Sequence, residues 1–432
     1  MTANAGRTVA TLAALTLTAP ADLLLVAVAR LRRRPPSSTP SARPSETVLI
    51  SGGKMTKALQ LARSFHGAGH RVVLVESAKY RFTGHRFSRA VDAFHCVPEP
   101  HEPGYAESLL DIVRREHVDV FVPVSSPGAS VPDAHARKLL DGVCDVLHGD
   151  PDTVEMLDDK ASFARAAASL GLKVPDSHRI TDPRQVTNFN FPPGVSYILK
   201  RVAYNPVGRL DLTPLSAATP DRNAAFVASL PISADDPWIL QEFVHGQEYC
   251  THSTVREGRL RVYGCCESSA CQVNYAHVDH PEIRRWVEHF VSALRLTGQV
   301  SFDFIESGDG TIHAIECNPR THSAITMFHD DPRLADAYLA DDHPVITPRP
   351  GARPTYWLYH ELWRLLTQPD RRRRIDTLRK GTDAIFDWRD PLPYFMVHHL
   401  QIPALLVDNL RRRRGWTRID FNIGKLVENG GD

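Results

Sequence analysis

Acidic side chains occupy fixed positions on a β-hairpin predicted for Ser301–Arg320, an arrangement that few sheets tolerate. Two runs rich in β-branched and aromatic residues flank Gly308–Gly310, where an Asp-Gly pair favours a two-residue turn because both residues tolerate positive φ. With that turn, Asp303 lies directly opposite Glu316. Two carboxylates that face each other on a sheet repel, so the pattern predicts either a bound cation or an exposed polar face.

The same turn places Ser301 opposite Asn318, and side-chain alternation directs all four residues to one face of the hairpin. Mg²⁺ prefers oxygen ligands, commonly one or two carboxylates completed by substrate phosphates. Asp303, Glu316 and Asn318 supply such oxygens. Arg320, just past the second strand, can bind a phosphate or a carboxylate through two parallel hydrogen bonds. The alternative is an ordinary hairpin with a solvated polar face.

Composition excludes several functional classes. The 432 residues allow two to four domains. A net charge of +1 gives no global field that favours nucleic acid. The seven cysteines include no Cys-x-x-Cys pair, which favours a reduced cytosolic compartment over a disulfide framework. Cys265, Cys266 and Cys271 cluster in sequence, but buried or inert thiols explain them better than a metal site.

The first folded region begins with a strand, helix, strand unit that is typical of a parallel sheet. Its strands are Thr47–Ser51 and Arg71–Glu76, and the later strand Val118–Ser125 ends in a loop of the kind that forms ligand crevices. Lys54 and Thr56 follow a Gly-Gly pair and are candidate contacts for a small substrate. A tight turn with a solvated lysine is the alternative, and the full Gly-x-Gly-x-x-Gly motif is absent.

Two lysines precede the hairpin on different elements. Lys160 leads a predicted helix, after Asp150 and a proline have opened an earlier helix in the favoured N-cap manner. Lys200 ends the predicted strand Tyr197–Lys200. A lone helix lysine is normally solvated, but two lysines brought to one cleft suit the α- and β-phosphate oxygens of a nucleotide.

The segment Trp238–Glu248 is predicted to form a strand, a turn and a second strand, with glutamates that can bracket a nucleoside. The backbone near Glu242 and Phe243 would bind the adenine edge. Glu248 would accept hydrogen bonds from both ribose hydroxyls. For each glutamate, an exposed hairpin position is the alternative.

The ordered set resembles the linear pattern of the ATP-grasp superfamily over about residues 150–325: Lys160, Lys200, Glu242, Glu248, Asp303, Glu316 and Asn318. The resemblance implies an α/β (α+β) fold, with ATP held between two sheets. The expected divisions are an apolar segment and linker (1–46), a Rossmann-like α/β domain (47–149), an ATP-grasp domain with a lid and a large antiparallel sheet (150–340, lid about 175–240) and a mostly helical C-terminal region (341–432).

One loop departs from the superfamily pattern. Where the family usually has a Gly/Ser-rich loop over the phosphates, residues 201–209 hold one glycine and two arginines. Phosphate binding by the charge of Arg209 is the expected substitute for binding by backbone amides.

Five longer segments resemble one particular branch of the superfamily: residues 50–66, 83–88, 250–256, 316–327 and 419–425. They are similar to the ATP-grasp mycosporine-glycine synthases of mycosporine-like amino acid biosynthesis, and the similarity runs from about Thr47 to the C-terminus. That family joins glycine to 4-deoxygadusol with ATP. The resemblance implies phosphorylation of the acceptor's enol oxygen to a vinylogous acyl phosphate, followed by addition of the glycine amine and loss of phosphate.

The resemblance also implies roles for the site residues. Mg²⁺, or Mn²⁺ in its place, held by Asp303, Glu316 and Asn318 would neutralise charge on the transferring phosphoryl group. Lys200 and Arg320 are the expected catalytic residues, since their positive charges would stabilise the remaining negative charge on that phosphoryl group. Candidate contacts for the acceptor and glycine, each with a structural role as the alternative, are Lys54, Thr56, His252, Ser253, Arg256, Asn274 and His322.

The N-terminal stretch Val9–Val28 is almost entirely apolar or Thr, near the length of about 20 residues that a membrane-spanning helix needs. Arginines and a Pro/Ser-rich linker, Pro35–Ser45, follow it, so the positive-inside rule keeps the catalytic bulk in the cytoplasm. We expect an anchor in the inner membrane, although Pro20 and Asp22 interrupt the pattern. The alternatives are a cleaved signal peptide, which would export an ATP-dependent domain, and a helix packed on the protein.

Beyond about Asp341 the pattern becomes helical. Tyr356–Leu366 is predicted to form an aromatic amphipathic helix, and Arg371–Arg374 and Arg411–Arg414 are basic runs. Aromatics beside arginine clusters suit a membrane surface, but a packed helical cap with solvated arginines is favoured.

Three functions are compatible with these patterns. The first is a ligase that makes mycosporine-glycine from small-molecule substrates, with no nucleic-acid partner. The second is an ATP-grasp ligase that joins a true carboxylic acid to an amine, for instance to make dipeptides. The third is an inactive, ATP-binding, membrane-tethered scaffold, against which the complete acidic set argues.

Overall fold

The computed structural model of the protein describes residues 4–32, 43–203, 208, 211–268 and 274–428. The predicted phosphate ligand Arg209 and the thiol of Cys271 lie outside the described residues. Helix α1, Ala5–Leu31, contains the predicted apolar stretch and continues through Pro20. By length and composition alone, it is long and apolar enough to cross a membrane.

A five-stranded parallel sheet follows, with the strand order β3-β2-β1-β4-β5. Its strands are β1 (Thr47–Ile50), β2 (Arg71–Ser77), β3 (Ala93–Val97), β4 (Val120–Val122) and β5 (Asp145–Val146). The connecting helices are α2 (Thr56–Gly67), α3 (Tyr105–Glu116) and α4 (Ser130–Leu140). The strand order reverses between β1 and β4, so a ligand crevice is expected at the carboxyl ends of those two strands.

A smaller antiparallel sheet has the strand order β6-β8-β7. Its strands are β6 (Ser177–Ile180), β7 (Tyr197–Arg201) and β8 (Trp238–Glu242). The helices around it are α5 (Pro151–Asp158), α6 (Lys160–Ser169), α7 (Pro183–Thr187) and α8 (Pro220–Ala228). Proline opens α5, α7 and α8, where its missing N–H costs no hydrogen bond.

The large antiparallel sheet has the strand order β10-β9-β12-β13. Its strands are β9 (Gly246–Arg256), β10 (Arg259–Glu267), β12 (Gly298–Ser307) and β13 (Ile312–Asn318). Between them lie β11 (Asn274–Tyr275) and α9 (Pro281–Ala293). One face of the sheet packs on α6 and α9 through an aromatic cluster that includes Phe163, Trp286 and Phe302. The opposite face is therefore free to carry polar side chains.

The C-terminal region packs back onto the parallel sheet. It contains α10 (Leu334–Leu339), β14 (Thr355–Tyr356), α11 (Leu358–Thr367), α12 (Arg371–Lys380), β15 (Thr382–Asp383), α13 (Leu392–Met396), a π-helical turn at Val397–Gln401, α14 (Ile402–Arg411), β16 (Trp416–Asp420) and β17 (Lys425–Glu428). The Gln401 side chain accepts a hydrogen bond from the Gly84 N–H at 2.7 Å, and Arg63 pairs with Asp390 at 2.9 Å. The expected α/β fold with a largely helical C-terminal region is what the structure shows.

The hairpin of β12 and β13 has the predicted register, but its turn differs from the predicted one. Asp303 pairs with Glu316 and Ser301 with Asn318, as predicted. The turn, however, holds three residues, since the Ser307 N–H donates to the Thr311 carbonyl at 3.0 Å. A bulge next to Asp303 then shifts the pairing by one residue. The longer turn and the bulge compensate each other.

Candidate active site

Two facing carboxylates lie on adjacent strands of the large sheet. Asp303 of β12 pairs with Glu316 of β13, and Asn318 Nδ2 donates to Asp303 Oδ2 at 3.5 Å. Burial raises the pKa of Asp303 to about 7, and the charges of Glu316 and Glu248 add to this effect. The second negative charge of the pair is therefore unfavourable without a cation.

Three cationic side chains surround this pair. Lys160 Nζ lies 3.5 Å from Glu316 Oε1, and Arg320 donates a hydrogen bond to Asn318 Oδ1. Burial would raise the pKa of the Glu316 carboxyl, but the charges of Lys160, Lys200 and Arg320 lower it. The two acids of the pair thus titrate apart, with Glu316 ionised first.

A break between two helices places Lys160. Helix α5 ends at Asp158 and α6 begins at Lys160, with Asp159 between them as the N-cap that accepts the Ser162 N–H at 2.8 Å. Asp158 Oδ1 lies 3.4 Å from Arg320 Nη1, a contact that sequence analysis missed. In the sequence, the adjacent acids Asp158 and Asp159, just before Lys160, were the signal that could have predicted this contact.

Lys200 is positioned by a second residue that sequence analysis missed. Its Nζ donates to Gln241 Oε1 at 3.0 Å, and Gln241 Nε2 lies 3.4 Å from the carbonyl of Ile315, the bulged residue of β13. Burial lowers the pKa of Lys200, and the charge of Lys160 acts in the same direction. A polar residue directly after the apolar run Trp238–Leu240 of β8 was the signal for Gln241.

The predicted nucleoside-binding residues flank the turn between β8 and β9. Glu248 lies near Asp303, whose pKa its charge raises. The Glu242 carboxylate accepts a hydrogen bond, at 3.1 Å, from the backbone N–H of the residue just before β6. The backbone N–H of Phe243 donates, at 2.8 Å, to the carbonyl of the residue just before β7. Within the described residues the N–H of Val244 has no hydrogen-bond partner, so the open donor of this turn lies one residue beyond Phe243.

The donor set around the hairpin fits Mg²⁺. No three acidic, histidine or cysteine side chains of the described residues form a metal-binding group. The cluster instead offers two carboxylates and one amide, from Asp303, Glu316 and Asn318, and Mg²⁺ commonly completes such a set with phosphates and water. Burial, together with the charges of Glu316 and Glu248, raises the pKa of Asp303, and a divalent cation would offset these effects.

A second cationic cluster lies beside the first, and sequence analysis missed its central residue. Lys57 is 5% exposed, and its Nζ donates to the Thr321 carbonyl and lies 3.4 Å from the Ser125 carbonyl. Burial and the charge of Arg320 hold the pKa of Lys57 well below its usual range. Burial, with the charges of Lys57 and Arg320, also lowers the pKa of His322 to about 3. We call Lys57, Arg320 and His322 the Lys57 cluster.

The Lys57 cluster is suited to an anionic ligand. No carboxylate of the described residues forms an ion pair with Lys57. Among the described residues, its buried amino group therefore has only backbone carbonyls as partners. Because a buried cation without a counter-charge is costly, a bound anion would stabilise this arrangement.

Residues far apart in the sequence hold the Lys57 cluster together. The Asn422 carbonyl accepts the Thr56 N–H at 2.9 Å, and Asn422 Oδ1 accepts the Ser323 hydroxyl at 2.9 Å. Thr56 and Ser323 are the neighbours of Lys57 and His322 in the chain. The turn between β16 and β17 therefore fixes both segments.

Two predicted substrate contacts, Lys54 and Thr56, are buried and have protein partners. Lys54 Nζ lies 3.3 Å from Glu76 Oε1, and both side chains are buried. Thr56 is fully buried, and its Oγ1 accepts the Trp357 indole N–H at 3.1 Å. The side chain that this helix start delivers to the cluster is Lys57.

The other predicted substrate contacts lie at different distances from the cluster. His322 belongs to it, and its N–H donates to His252 Nδ1 at 3.2 Å. Ser253 follows on the opposite face of β9. Arg256 ends β9, remote from the carboxylate pair, and donates to a carboxylate of β5 at 2.8 Å. Asn274 lies in the short strand β11, paired with β14.

Comparison with known proteins gives weak sequence matches and clear structural ones. No protein-family model matches the chain. Over 247 residues, or 52% of the chain, it is 23% identical to the C-terminal section of the carbamoyl phosphate synthase large chain of Methanopyrus kandleri, of which the match spans 44%. The chain therefore covers less than half the length of this relative.

Solved structures match most of the chain. N5-carboxyaminoimidazole synthetase from Staphylococcus aureus superposes with a TM-score of 0.55 at 14% identity, covering 73% of this chain and 83% of that chain. An L-amino acid ligase from Bacillus licheniformis superposes with a TM-score of 0.50 at 15% identity, covering 65% and 69%. The chain has the ATP-grasp fold. This ATP-grasp fold is also seen in the Staphylococcus aureus enzyme with ADP and in a Hydrogenobacter thermophilus biotin carboxylase domain with MgADP, at TM-scores of 0.54 and 0.51.

Proposed function

We propose that the protein is an ATP-dependent, ADP-forming ligase that joins glycine to 4-deoxygadusol to give mycosporine-glycine. The observation that carries the ATP-dependent chemistry is the convergence of three cations on the carboxylate pair of Asp303 and Glu316. The five segments similar to mycosporine-glycine synthases support the choice of substrates. The likeness to an L-amino acid ligase supports ligase chemistry.

ATP would occupy the cleft between the small and large sheets. Lys160 and Lys200 would bind phosphate oxygens, since each is a compact positive charge delivered by a different element. Glu248 would accept the ribose hydroxyls. The backbone of the turn after Glu242 and Phe243 would bind adenine, with the open N–H of Val244 as a donor.

Asp303, Glu316 and Asn318 would hold Mg²⁺, with Mn²⁺ as an alternative. The bound ion would supply neutralisation of charge on the transferring phosphoryl group. Arg320 orients the Asn318 amide through its hydrogen bond and places a guanidinium beside the same group.

The Lys57 cluster would bind the acceptor. An enolised 1,3-dicarbonyl group spreads negative charge over two oxygens, which a buried ammonium and a guanidinium stabilise strongly in a low-dielectric site. The enol oxygen attacks the γ-phosphorus of ATP, and ADP leaves with the electrons of the broken P–O bond. The glycine nitrogen then adds to the activated carbon and loses a proton, and phosphate leaves with the C–O electrons.

Two other functions remain as alternatives. A ligase for a true carboxylic acid would use the same phosphoryl transfer, with an acyl phosphate in place of the enol phosphate, and the L-amino acid ligase likeness favours it as the second candidate. An inactive ATP-binding scaffold would retain nucleotide binding alone. The intact carboxylate pair argues against the scaffold.

ADP release by the full chain tests these proposals. With ATP, Mg²⁺, 4-deoxygadusol and glycine, the ligase proposal predicts a glycine adduct, identified by ultraviolet absorbance and mass, formed in step with ADP. If ADP release required a carboxylic acid and an amine, the proposed substrates would be wrong, but the assignment as an ATP-dependent ligase would stand. Nucleotide binding without turnover on any acid, enol or amine would support the scaffold.

The catalytic part of the chain would lie in the cytoplasm, held at the inner membrane through α1. The length and composition of α1 support this localisation. The divisions at 1–46, 47–149, 150–340 and 341–432 stay a proposal for how the chain divides into domains.

A further inference from the structure

Helix α1 contacts the rest of the protein along a single stripe. Its buried residues include Thr8, Leu15, Asp22 and Ala29, which follow one another at intervals of seven. A seven-residue spacing keeps side chains on one face of a helix over many turns. The helix is therefore docked lengthwise on the protein.

The docked stripe of α1 carries the one acidic residue of the helix, Asp22, among apolar residues. Asp22 accepts hydrogen bonds from the Tyr359 hydroxyl at 2.7 Å and from His399 Nε2 at 2.8 Å. Near the start of the helix, Thr8 Oγ1 accepts the indole N–H of Trp416 at 2.9 Å. In this arrangement the only ionisable side chain between Thr8 and Ala29 faces protein partners.

Both ends of α1 are attached to the same folded body. At its start, Asn4 Nδ2 donates to the Trp416 carbonyl at 2.7 Å and the Arg7 guanidinium stacks 4.1 Å from the centre of the Trp416 ring. At its other end, Arg32 stacks 5.3 Å from the centre of the Trp388 ring. The 27-residue helix is about 40 Å long, so in this docked state it does not place its two ends on opposite sides of a bilayer.

The outer face of α1 is apolar. Leu17 and Leu24 are 81% and 65% exposed, and Val9, Leu23 and Leu31 are exposed as well. The hydroxyl of Thr16 donates to the Leu12 carbonyl at 2.8 Å, and that of Thr18 to the Leu15 carbonyl at 3.0 Å. Exposed hydroxyls that are satisfied by their own helix cost little in an apolar medium.

Helix α11 extends this apolar face. Tyr359 contacts α1 through Thr18 and Asp22, and the residues one and two turns further along the same side of α11 are Trp363 and Leu366. Trp363 is 67% exposed and Leu366 is 75% exposed. Contiguous exposed leucines beside an exposed tryptophan are typical of a surface that enters the bilayer interface.

Arginines flank the apolar face. Arg30 lies at the end of α1, and Arg371 and Arg372 begin α12. Arg411 ends α14 and Arg413 follows it, near the start of α1. Their exposed side chains form no ion pair within the described residues. Arg374, Arg412 and Arg414, by contrast, pair with acidic residues of the protein. The unpaired arginines supply the charge that complements anionic lipid head groups.

We propose that α1 does not cross the membrane but lies in the plane of an anionic bilayer, with its outer face and that of α11 in contact with lipid. This inference rests on the proposed membrane localisation and specifies its geometry. We call the outer residues of α1 and α11, Val9, Leu17, Leu24, Trp363 and Leu366, the lipid-facing surface.

Flotation with vesicles tests the lipid contact on the full chain. Vesicles of phosphatidylcholine and phosphatidylglycerol are expected to carry the wild-type protein upward, and phosphatidylcholine alone far less. Leu17→Glu with Leu24→Glu should lower flotation at least about tenfold, because two charges would enter the apolar interface. The matched control is Leu139→Glu with Val143→Glu, two exposed apolar positions at the end of α4, which should float as the wild type does.

Protease access to an N-terminal tag separates an in-plane helix from a spanning one. With the catalytic part outside the vesicles, the proposal predicts cleavage of the tag without detergent. Protection of the tag would overturn the in-plane geometry while membrane localisation stood. Equal flotation of the Glu pair and the control would overturn the lipid-facing surface, and a wild type that does not float would overturn localisation as well. Because the ligase assay needs no lipid, none of these outcomes bears on ligase activity.

Discussion

The hairpin of β12 and β13 and the Lys57 cluster meet at Arg320, but their side chains are brought together in different ways. In the hairpin, Asn318 and Asp303 are 15 residues apart and are aligned by the pairing of two adjacent strands. In the cluster, Lys57 contacts the carbonyl of Thr321, 264 residues away. A local register can be derived from a turn and an alternation pattern, whereas a contact between distant segments depends on the packing of the whole domain.

The largest expected effect falls on the hairpin. Glu316→Gln should keep the fold and lower kcat by at least about 100-fold, because it removes one carboxylate of the proposed metal pair. Steady-state ADP release with the substrates measures this. The matched control is Glu306→Gln on the same hairpin, which should keep near-normal activity. Normal turnover of Glu316→Gln at ordinary Mg²⁺ would refute the metal assignment.

A smaller effect is expected in the Lys57 cluster. Lys57→Met should lower kcat/KM for the acceptor by about 10- to 100-fold, with ATP binding unchanged, because it removes one charged hydrogen-bond donor. Lys54→Met is the comparison variant, and its effect should appear in thermal stability through the loss of the Glu76 ion pair. If Lys54→Met changed the acceptor KM and Lys57→Met did not, the assignment of these two lysines would be reversed.

Thr56 should affect stability alone. Thr56→Val leaves the buried Trp357 indole N–H without its acceptor, which should lower the free energy of unfolding by about 1–3 kcal/mol. Chemical denaturation measures this change, with exposed Thr187→Val as the control. The folded variant should keep its acceptor KM. A selective rise in that KM would place the hydroxyl in the substrate site.

The smallest expected effect depends on pH. The pKa of Asp303 rises from 3.8 to about 7 on folding, so the metal-free protein loses stability as pH increases between these values. Asp303→Asn should therefore raise the metal-free Tm more near about pH 8 than near about pH 5.5. Thermal melts in a chelator measure the difference. An equal gain at both pH values would show that ionisation of the buried Asp303 carboxyl group is not its source.

Part of the fold and of the candidate site could be predicted from the sequence. The α/β class, the apolar helix and the Asp303–Glu316 register were predicted, and the structure shows all three. The register was right although the predicted turn was one residue too short, because a bulge at Ile315 compensates for the third turn residue. When an extra turn residue is offset by a bulge in this way, the predicted side-chain pairing beyond the bulge is still correct.

The rest depended on contacts that no local pattern contains. Gln241 was missed because its role comes from Lys200 in the neighbouring strand and Ile315 in another sheet. Lys57 was missed although its neighbours Lys54 and Thr56 were selected, because only tertiary packing decides which side chain of a helix start enters the cleft. The contacts of α1 with the folded protein could not be predicted for the same reason, since their partners lie near the other end of the chain. A membrane anchor was expected from the sequence, with a packed helix kept as an alternative.

The position of Asn422 near the end of the chain affects the order in which parts of the protein can fold during synthesis. Its carbonyl and side chain hold the segments that carry Lys57 and His322. During synthesis, the small and large antiparallel sheets emerge from the ribosome long before this residue does. A nascent chain can therefore assemble the proposed phosphate-binding half early but completes the proposed acceptor site only when residue 422 has emerged and folded back.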